Sequence, residues 1–258
     1  MNKNVEMKMN PRNKTGIKII GFGALYNERE LIEGWLKTLR FFCDEVWALY
    51  DPCSDDGTIE YLKEHEEKYK NTEVPLYLYK QDLTLGDSTR DEKGKQGKIT
   101  FLANANKFLD EHVTFGTWTM WLAADERLEV SRSEDIYEAL IFAEGMGANA
   151  VKFKFYDIYK NLDTYVNYDY LNLNLAHRKL IRNTPEYRYN LELHKGHNGG
   201  KPWVNTDLPF YHFGNFYKQD RNWWRDVNGV KYLDRIPKQK QLMKFKSPWL
   251  NKDWKCDA

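Results

Sequence analysis

Cysteine is scarce in this 258-residue chain. There are three, Cys43, Cys53 and Cys256, odd in number and far apart. They supply neither a disulfide framework nor the paired spacing of a zinc site, which fits a reducing cytoplasm. Long apolar runs are also missing. No stretch approaches the roughly 20 residues needed to cross a bilayer. Residues 1–16 are polar and basic, without the apolar segment of a signal peptide, and read as a flexible start. The expectation is a cytoplasmic protein with no transmembrane segment, any membrane contact being peripheral at the inner membrane surface. An excess of one charge is lacking too: 39 Lys and Arg stand against 38 Asp and Glu, a net of +1. That balance hides an uneven end. Between Lys218 and Ala258, eleven Lys and Arg face five Asp, a local net of +6. Such a tail suits phosphate or an anionic surface, and equally a solvated end.

Aromatic residues, by contrast, are plentiful. They make up 15% of the chain and include nine Trp, crowded toward the second half. Large rings fill cores, and they also stack on bases and sugars. With 41% hydrophobic and 30% charged residues the chain reads as soluble and globular, and it is long enough for a full core.

The first half alternates strand and helix. Residues 17–25 form an apolar, β-branched run, then residues 30–42 place Leu31, Trp35, Leu36 and Leu39 at helical spacing. A strand over 46–50 and a helix over 58–69 follow, then a strand over 74–79 with Pro75 near its start, where a missing donor is tolerated. This order calls for parallel βαβ units with right-handed crossovers. A polar stretch over 81–97 carries Arg90, Lys93 and Lys95 ahead of a helix over 98–111. A basic, glycine-bearing loop before a helix suits an anion, and also an ordinary surface loop. A strand over 118–124 runs into Asp125 and Glu126, and Ser133 is placed as the cap of a helix reaching about residue 142.

Beyond this point the pattern changes. Residues 150–158 alternate apolar and polar, as a half-exposed strand does. Short strands over 177–181 and 187–193 read as antiparallel, and 194–214 reads as loop-rich, with His194, His197 and His212. The expected fold class is therefore α/β: a Rossmann-type, mostly parallel central sheet flanked by helices, with a mixed antiparallel C-terminal half. One domain over 17–215 is expected, in two parts (17–130 and 131–215), with an aromatic-rich basic tail over 216–258.

In an open α/β sheet, ligands sit outside the carboxyl ends of the strands. Asp51 ends one early strand and Asp125 a later one, so both should face the same cleft. Carboxylates with a late histidine make a hard oxygen-and-imidazole site, suited to Mn2+ or Mg2+ bridging a diphosphate. Ser54, Asp55 and Asp56 also read as plain turn and helix-cap residues.

Three strings carry a resemblance: Asn27-Glu28, Asp51-x-x-Ser54-x-Asp56-Gly57-Thr58, and Trp121-Leu-Ala-Ala-Asp125-Glu126-Arg-Leu. Over residues 17–130 the chain resembles the family 2 glycosyltransferases of the GT-A fold. The resemblance implies a GT-A-like transferase moving a hexose from a UDP- or GDP-type nucleotide-sugar donor to an acceptor hydroxyl. Asp51 would then hydrogen-bond the base. The backbone of residues 24–27, with Tyr26, Asn27 and Glu28, would line the same pocket, together with Asp56 and Ala124. Arg90 or Lys98 would approach the base or the phosphates. Asp125 matches the second acid of the family's Asp-x-Asp motif and would hold the metal, with His212 as a second protein ligand and His194 behind it. The chain departs from the family at Ala123, where the first acid of that motif usually stands. Glu192 and Asp207 are the carboxylates nominated as catalytic base, since an inverting transferase must take the acceptor's proton.

The acceptor implied is a glycan, a lipid-linked or another hydroxyl compound. The tail interleaves Trp223, Trp224, Trp249 and Trp254 with Lys and Arg, which also suits a nucleic acid acceptor through charge and stacking. The rival reading from another class is a nucleotide- or sugar-binding protein of the same fold with no turnover.

Overall fold

Strand β1, Ile19–Leu25, is buried along nearly its whole length. Ile19 and Leu25 join one apolar cluster and Ile20 and Phe22 the other, so both faces of the strand are covered. A strand covered on both faces needs a continuous apolar run, which is what the sequence has there. The computed structural model describes residues 15–85, 98–158, 161–166, 176–189, 197–198, 202–214, 242–246 and 248.

Around β1 stand α1 (Ile32–Phe42), β2 (Glu45–Tyr50), α2 (Thr58–Tyr69), β3 (Leu76–Lys80), α3 (Lys98–His112) and β4 (Trp118–Trp121). Strands β1, β2, β3 and β4 pair in parallel, in the spatial order β3-β2-β1-β4. Helices α1, α2 and α4 (Ser133–Gly145) contribute to the first cluster, through Trp35, Leu36, Leu39, Leu62, Ile136 and Leu140. Helix α3 covers the other face with Leu102, Ala105, Phe108 and Leu109. Each large apolar side chain among these stabilises the fold by roughly 1.5–3 kcal/mol when fully buried. The layering is that of an α/β sheet, mostly parallel in its first half and covered by helices on both faces.

Beyond β4 the sheet turns antiparallel. β8 (Ala176–Arg182) pairs antiparallel with β4 and with β6 (Ala150–Ile158), so the order continues β4-β8-β6. β7 (Thr164–Val166) follows at the far end of β6, and β12 (Leu242–Lys244) pairs with β7. Among the described residues, Leu242–Lys244 of the basic C-terminal segment thus belong to the sheet. β9 (Arg188–Tyr189) and β10 (His197–Asn198) form a separate ribbon.

Two expectations are corrected. Residues 194–214 are not uniformly loop-like: Trp203–His212 is β11, a strand of 10 residues parallel to β6. Pro202, Pro209 and the polar run 205–207 disguised it, and its register shifts between Asn205 and Pro209, where a bulge takes up the irregularity. Ser133 does not cap α4. Arg132 holds the N-cap position, with no side-chain cap bond.

One glycine in β1 is fixed by close approach. A Cβ on Gly23 would lie 2.2 Å from the Leu122 carbonyl oxygen and 2.8 Å from Trp35 Nε1. The buried Trp35 indole donates to that carbonyl at 2.9 Å. Helix α1 and the segment leaving β4 therefore meet directly over β1.

Candidate functional site

The loops after β1 and β2 are fastened to each other. Asn27 adopts φ 52°, a left-handed conformation that Asn tolerates better than most residues. Its side chain donates to Asp55 Oδ1 at 2.8 Å and accepts the Asp55 amide at 2.9 Å. The Asn27 amide donates to Ser54 Oγ, and the Glu28 amide to Thr58 Oγ1. Asp56 uses both carboxylate oxygens: Oδ2 accepts the Arg29 amide, and Oδ1 accepts the amide and hydroxyl of Thr58. The turn-forming reading of Ser54, Asp55 and Asp56 describes these bonds well. Arg29 lies over the Tyr61 ring at 4.3 Å, tying the same loop to α2.

Asp51 directly follows β2 and is 1% exposed. Its Oδ1 accepts the Cys53 amide at 2.8 Å, an Asx-type turn that aims the carboxylate. Tyr26, which follows β1, is half-buried. Gln81, at the equivalent end of β3, donates its amide to the Tyr50 carbonyl and its Nε2 to the Leu49 carbonyl. Its Oε1 is buried without a hydrogen-bond partner among the described residues. The sequence offered no signal for Gln81 beyond its place after a strand.

The second half of the site is assembled from distant segments. After β4 the chain passes Ala123 and Asp125 and enters β5 (Glu126–Leu128), which pairs antiparallel with β11. That register sets His212 opposite Glu126, and the Phe213 amide donates to the Asp125 carbonyl at 2.9 Å. His212 Nε2 consequently lies 3.6 Å from Asp125 Oδ2, while its Nδ1 lies 2.9 Å from Asp157 Oδ1 at the end of β6. Asp125 and Asp157 are both buried.

Burial alone pushes the His212 imidazole down. The Asp125 charge, the hydrogen bond and charge of Asp157 and the charge of Glu126 outweigh it and carry the pKa up to about 9.

Arg127, fully buried, braces this loop. Its guanidinium donates to the carbonyls of Ala124, Glu126 and Leu31. Glu126 Oε2 accepts the Ala123 amide at 2.7 Å and pairs with Lys179 Nζ, also at 2.7 Å.

Whether a divalent ion fits can be asked of these atoms. His212 and Asp125 offer one imidazole nitrogen and one carboxylate oxygen. Donors bound at about 2.0–2.2 Å to one ion stand roughly 3–3.5 Å apart, close to the 3.6 Å seen. Asp157 holds the other ring nitrogen, as carboxylates do behind metal-ligating histidines. Space above the pair is kept by Gly214, whose Cβ would fall 2.6 Å from His212 Nε2 and 3.0 Å from Asp125 Oδ2. Among the described residues, no group of three His, Cys, Asp or Glu side chains is arranged to hold a metal. The donor set therefore fits an ion that completes its coordination with substrate phosphate and water, as Mg2+ and Mn2+ do. It does not fit a closed protein cage.

The remaining expected residues are dispersed. Ala124 is buried, with its carbonyl bonded to Arg127. Asp207 is exposed at the irregular part of β11, five residues before His212 and not gathered with Asp125. Lys98 opens α3, but its side chain is outside the described residues, as are Arg90, Glu192 and His194. Sequence reasoning missed Asp157, Lys179, Arg127 and Gly214. Asp157 left a trace: it has the parity of Val151, Phe153 and Phe155 in an alternating strand, a carboxylate on the core-facing set.

Neither a protein-family model nor a curated protein matches the chain. Among solved structures it is similar to S. aureus TarS 1-349, at 15% identity over 78% of this chain and 63% of that one, TM-score 0.46. It is also similar to mannose-6-phosphate isomerase from Helicobacter pylori, at 15% identity over 65% and 62%, TM-score 0.36. A third similarity is to mannose-1-phosphate geranyltransferase from Thermus thermophilus, at 12% identity over 78% and 59%, TM-score 0.30. The chain spans about three fifths of the length of these solved chains.

Proposed function

We propose that the protein is a metal-assisted glycosyltransferase that moves a sugar from a UDP- or GDP-type donor to an acceptor hydroxyl. The observation that supports this most is the convergence of Asp125, His212 and Asp157 at the sheet edge that also carries Asp51. One end of that edge offers a buried carboxylate and backbone for a base. The other offers a two-donor site that suits a diphosphate-bound ion.

In this reading Asp51 accepts an N–H of the base, and the fastened loops of residues 24–27 and 51–58 hold the pocket's shape without reorganising. Asp125 and His212 hold Mn2+ or Mg2+, which when bound neutralises charge building on the departing diphosphate. Asp157 keeps the imidazole turned so that Nε2 faces Asp125. Arg127 keeps the Asp125 loop in place through three carbonyls. Arg90 or Lys98 supplies a further contact to base or phosphate, Glu192 is the proposed base for the acceptor proton, and His194 stands behind His212. The acceptor is a glycan, a lipid-linked or another hydroxyl compound. Among the described residues no helix is long and apolar enough to cross a membrane.

A panel of nucleotide-sugars in a thermal-shift assay, with and without Mn2+, tests the reading, because a ligand that binds only the native state raises Tm. A UDP- or GDP-sugar should stabilise the protein more with Mn2+ than without it, and Asp125→Ala should remove the difference. Stabilisation equal in both conditions would sink the metal assignment. Ala123, lacking the family's acid, favours one rival, a donor-binding protein without turnover. Release of nucleoside diphosphate from the stabilising donor separates the two.

A further inference from the structure

Lys179 lies on β8 between β4 and β6, and only 8% of it is exposed. Its ammonium pairs with Glu126 Oε2 at 2.7 Å and sits 4.1 Å from the centre of the Phe210 ring. That same carboxylate oxygen accepts the Ala123 amide. One oxygen therefore links the buried cation to the backbone of the segment that leaves β4. Phe210 is two residues from His212, on the same face of β11, so Lys179 meets the face of β11 that carries His212. Glu126 is itself the register partner of His212 across β5 and β11, so the ion pair stands beside the histidine's strand position.

An ammonium has three N–H donors. Among the described residues Glu126 is the only hydrogen-bond acceptor that Lys179 uses. A buried cation with unused donors gains most from an anionic oxygen, because charge-assisted bonds are the strong ones.

We propose that Lys179, aimed by Glu126, is a contact for the diphosphate of the donor. The proposal rests on the donor-site reading above. A buried ammonium at this end of the site means that the chain should hold a nucleoside diphosphate even without metal.

The test is calorimetric binding of UDP, GDP, uridine and guanosine, each with and without Mn2+. The proteins are wild type, Lys179→Met, Lys179→Arg and the double variant Glu126→Gln/Lys179→Met. In Lys179→Met the preferred diphosphate should lose about tenfold in affinity, the scale of one charge-assisted bond, while its nucleoside binds as before. Lys179→Arg should keep most of the diphosphate affinity. The double variant leaves no unpaired buried carboxylate, so the same selective loss there cannot come from misfolding. Equal losses for diphosphate and nucleoside, or unchanged diphosphate affinity in the folded double variant, overturn the proposal. If wild type binds none of the four probes in either condition, the donor-site reading falls with it.

Discussion

The two ends of the site are built by opposite means. The loops after β1 and β2 are local: Asn27, Arg29, Ser54, Asp55, Asp56 and Thr58 bond to one another, and most of their polar atoms are already occupied. The opposite end draws Asp125, Asp157, Lys179 and His212 from four strands or loops spread over much of the chain. Its polar groups sit in pairs that point at one another across a gap kept open by Gly214. The first end is a preformed frame. The second is charged machinery whose geometry depends on sheet register.

This difference can be broken in order of size. Asp125→Asn should lower metal-dependent turnover of the stabilising nucleotide-sugar by at least about 10²-fold, since a metal contributes several kcal/mol to such steps. Nucleoside binding should be untouched, and a parallel loss of nucleoside affinity would erase the division between the two ends. Asp157→Asn should cost about 10–100-fold in Mn2+ affinity, the usual range for a partner behind a ligating histidine. Metal titration by calorimetry reads this, and an unchanged Kd would remove Asp157 from the site. Asp56→Ala should instead act on the frame. Loss of its bonds to Arg29 and Thr58 should cost about 1–2 kcal/mol in urea unfolding, with Mn2+ affinity preserved.

The smallest effect sharpens the electrostatics. His212 rises from an ordinary 6.5 to about 9 in the folded protein. A raised pKa in the native state means protonation favours folding. The stabilisation is therefore complete below about pH 6.5 and lost as pH climbs through about 9. In chelator, Tm should fall across that window, and Asp125→Asn should flatten the fall. A flat wild-type profile would show that His212 is not held by its acidic neighbours.

The same contrast explains what the sequence could and could not reveal. The βαβ run and the Asp51–Thr58 loop were readable because strand, turn and helix signals there lie next to one another. Gly57, for instance, sits at φ 89° right where a Gly precedes the helix. Asp125 is nominated by its string, and the structure sets it 3.6 Å from His212. Its partners were harder, because pairing between β5, β6, β8 and β11 is non-local and carries no fixed spacing. β11 in particular has Pro209 and three consecutive polar residues in its middle, and a strand that tolerates these does so only with an irregular register. Lys179 is a charged residue in a short strand whose surface face looked like its natural place, and Asp157 gave only its core-face parity, with no sign of its partner. Arg127 followed two acids and resembled a surface residue, yet three carbonyls enclose it.

The irregularity in β11 has a bearing on how this chain tolerates length changes. Side chains alternate along a strand, so a one-residue slip would turn His212 to the opposite face. Between Asn205 and Pro209 the register already shifts, and an added or lost residue there can be taken up without reaching the site. From Pro209 to Phe213 the chain is paired on β5 and β6 and then bonded to the Asp125 carbonyl. Deleting Tyr211 alone would leave Asp125, Asp157 and His212 in the protein and turn His212 away from both carboxylates.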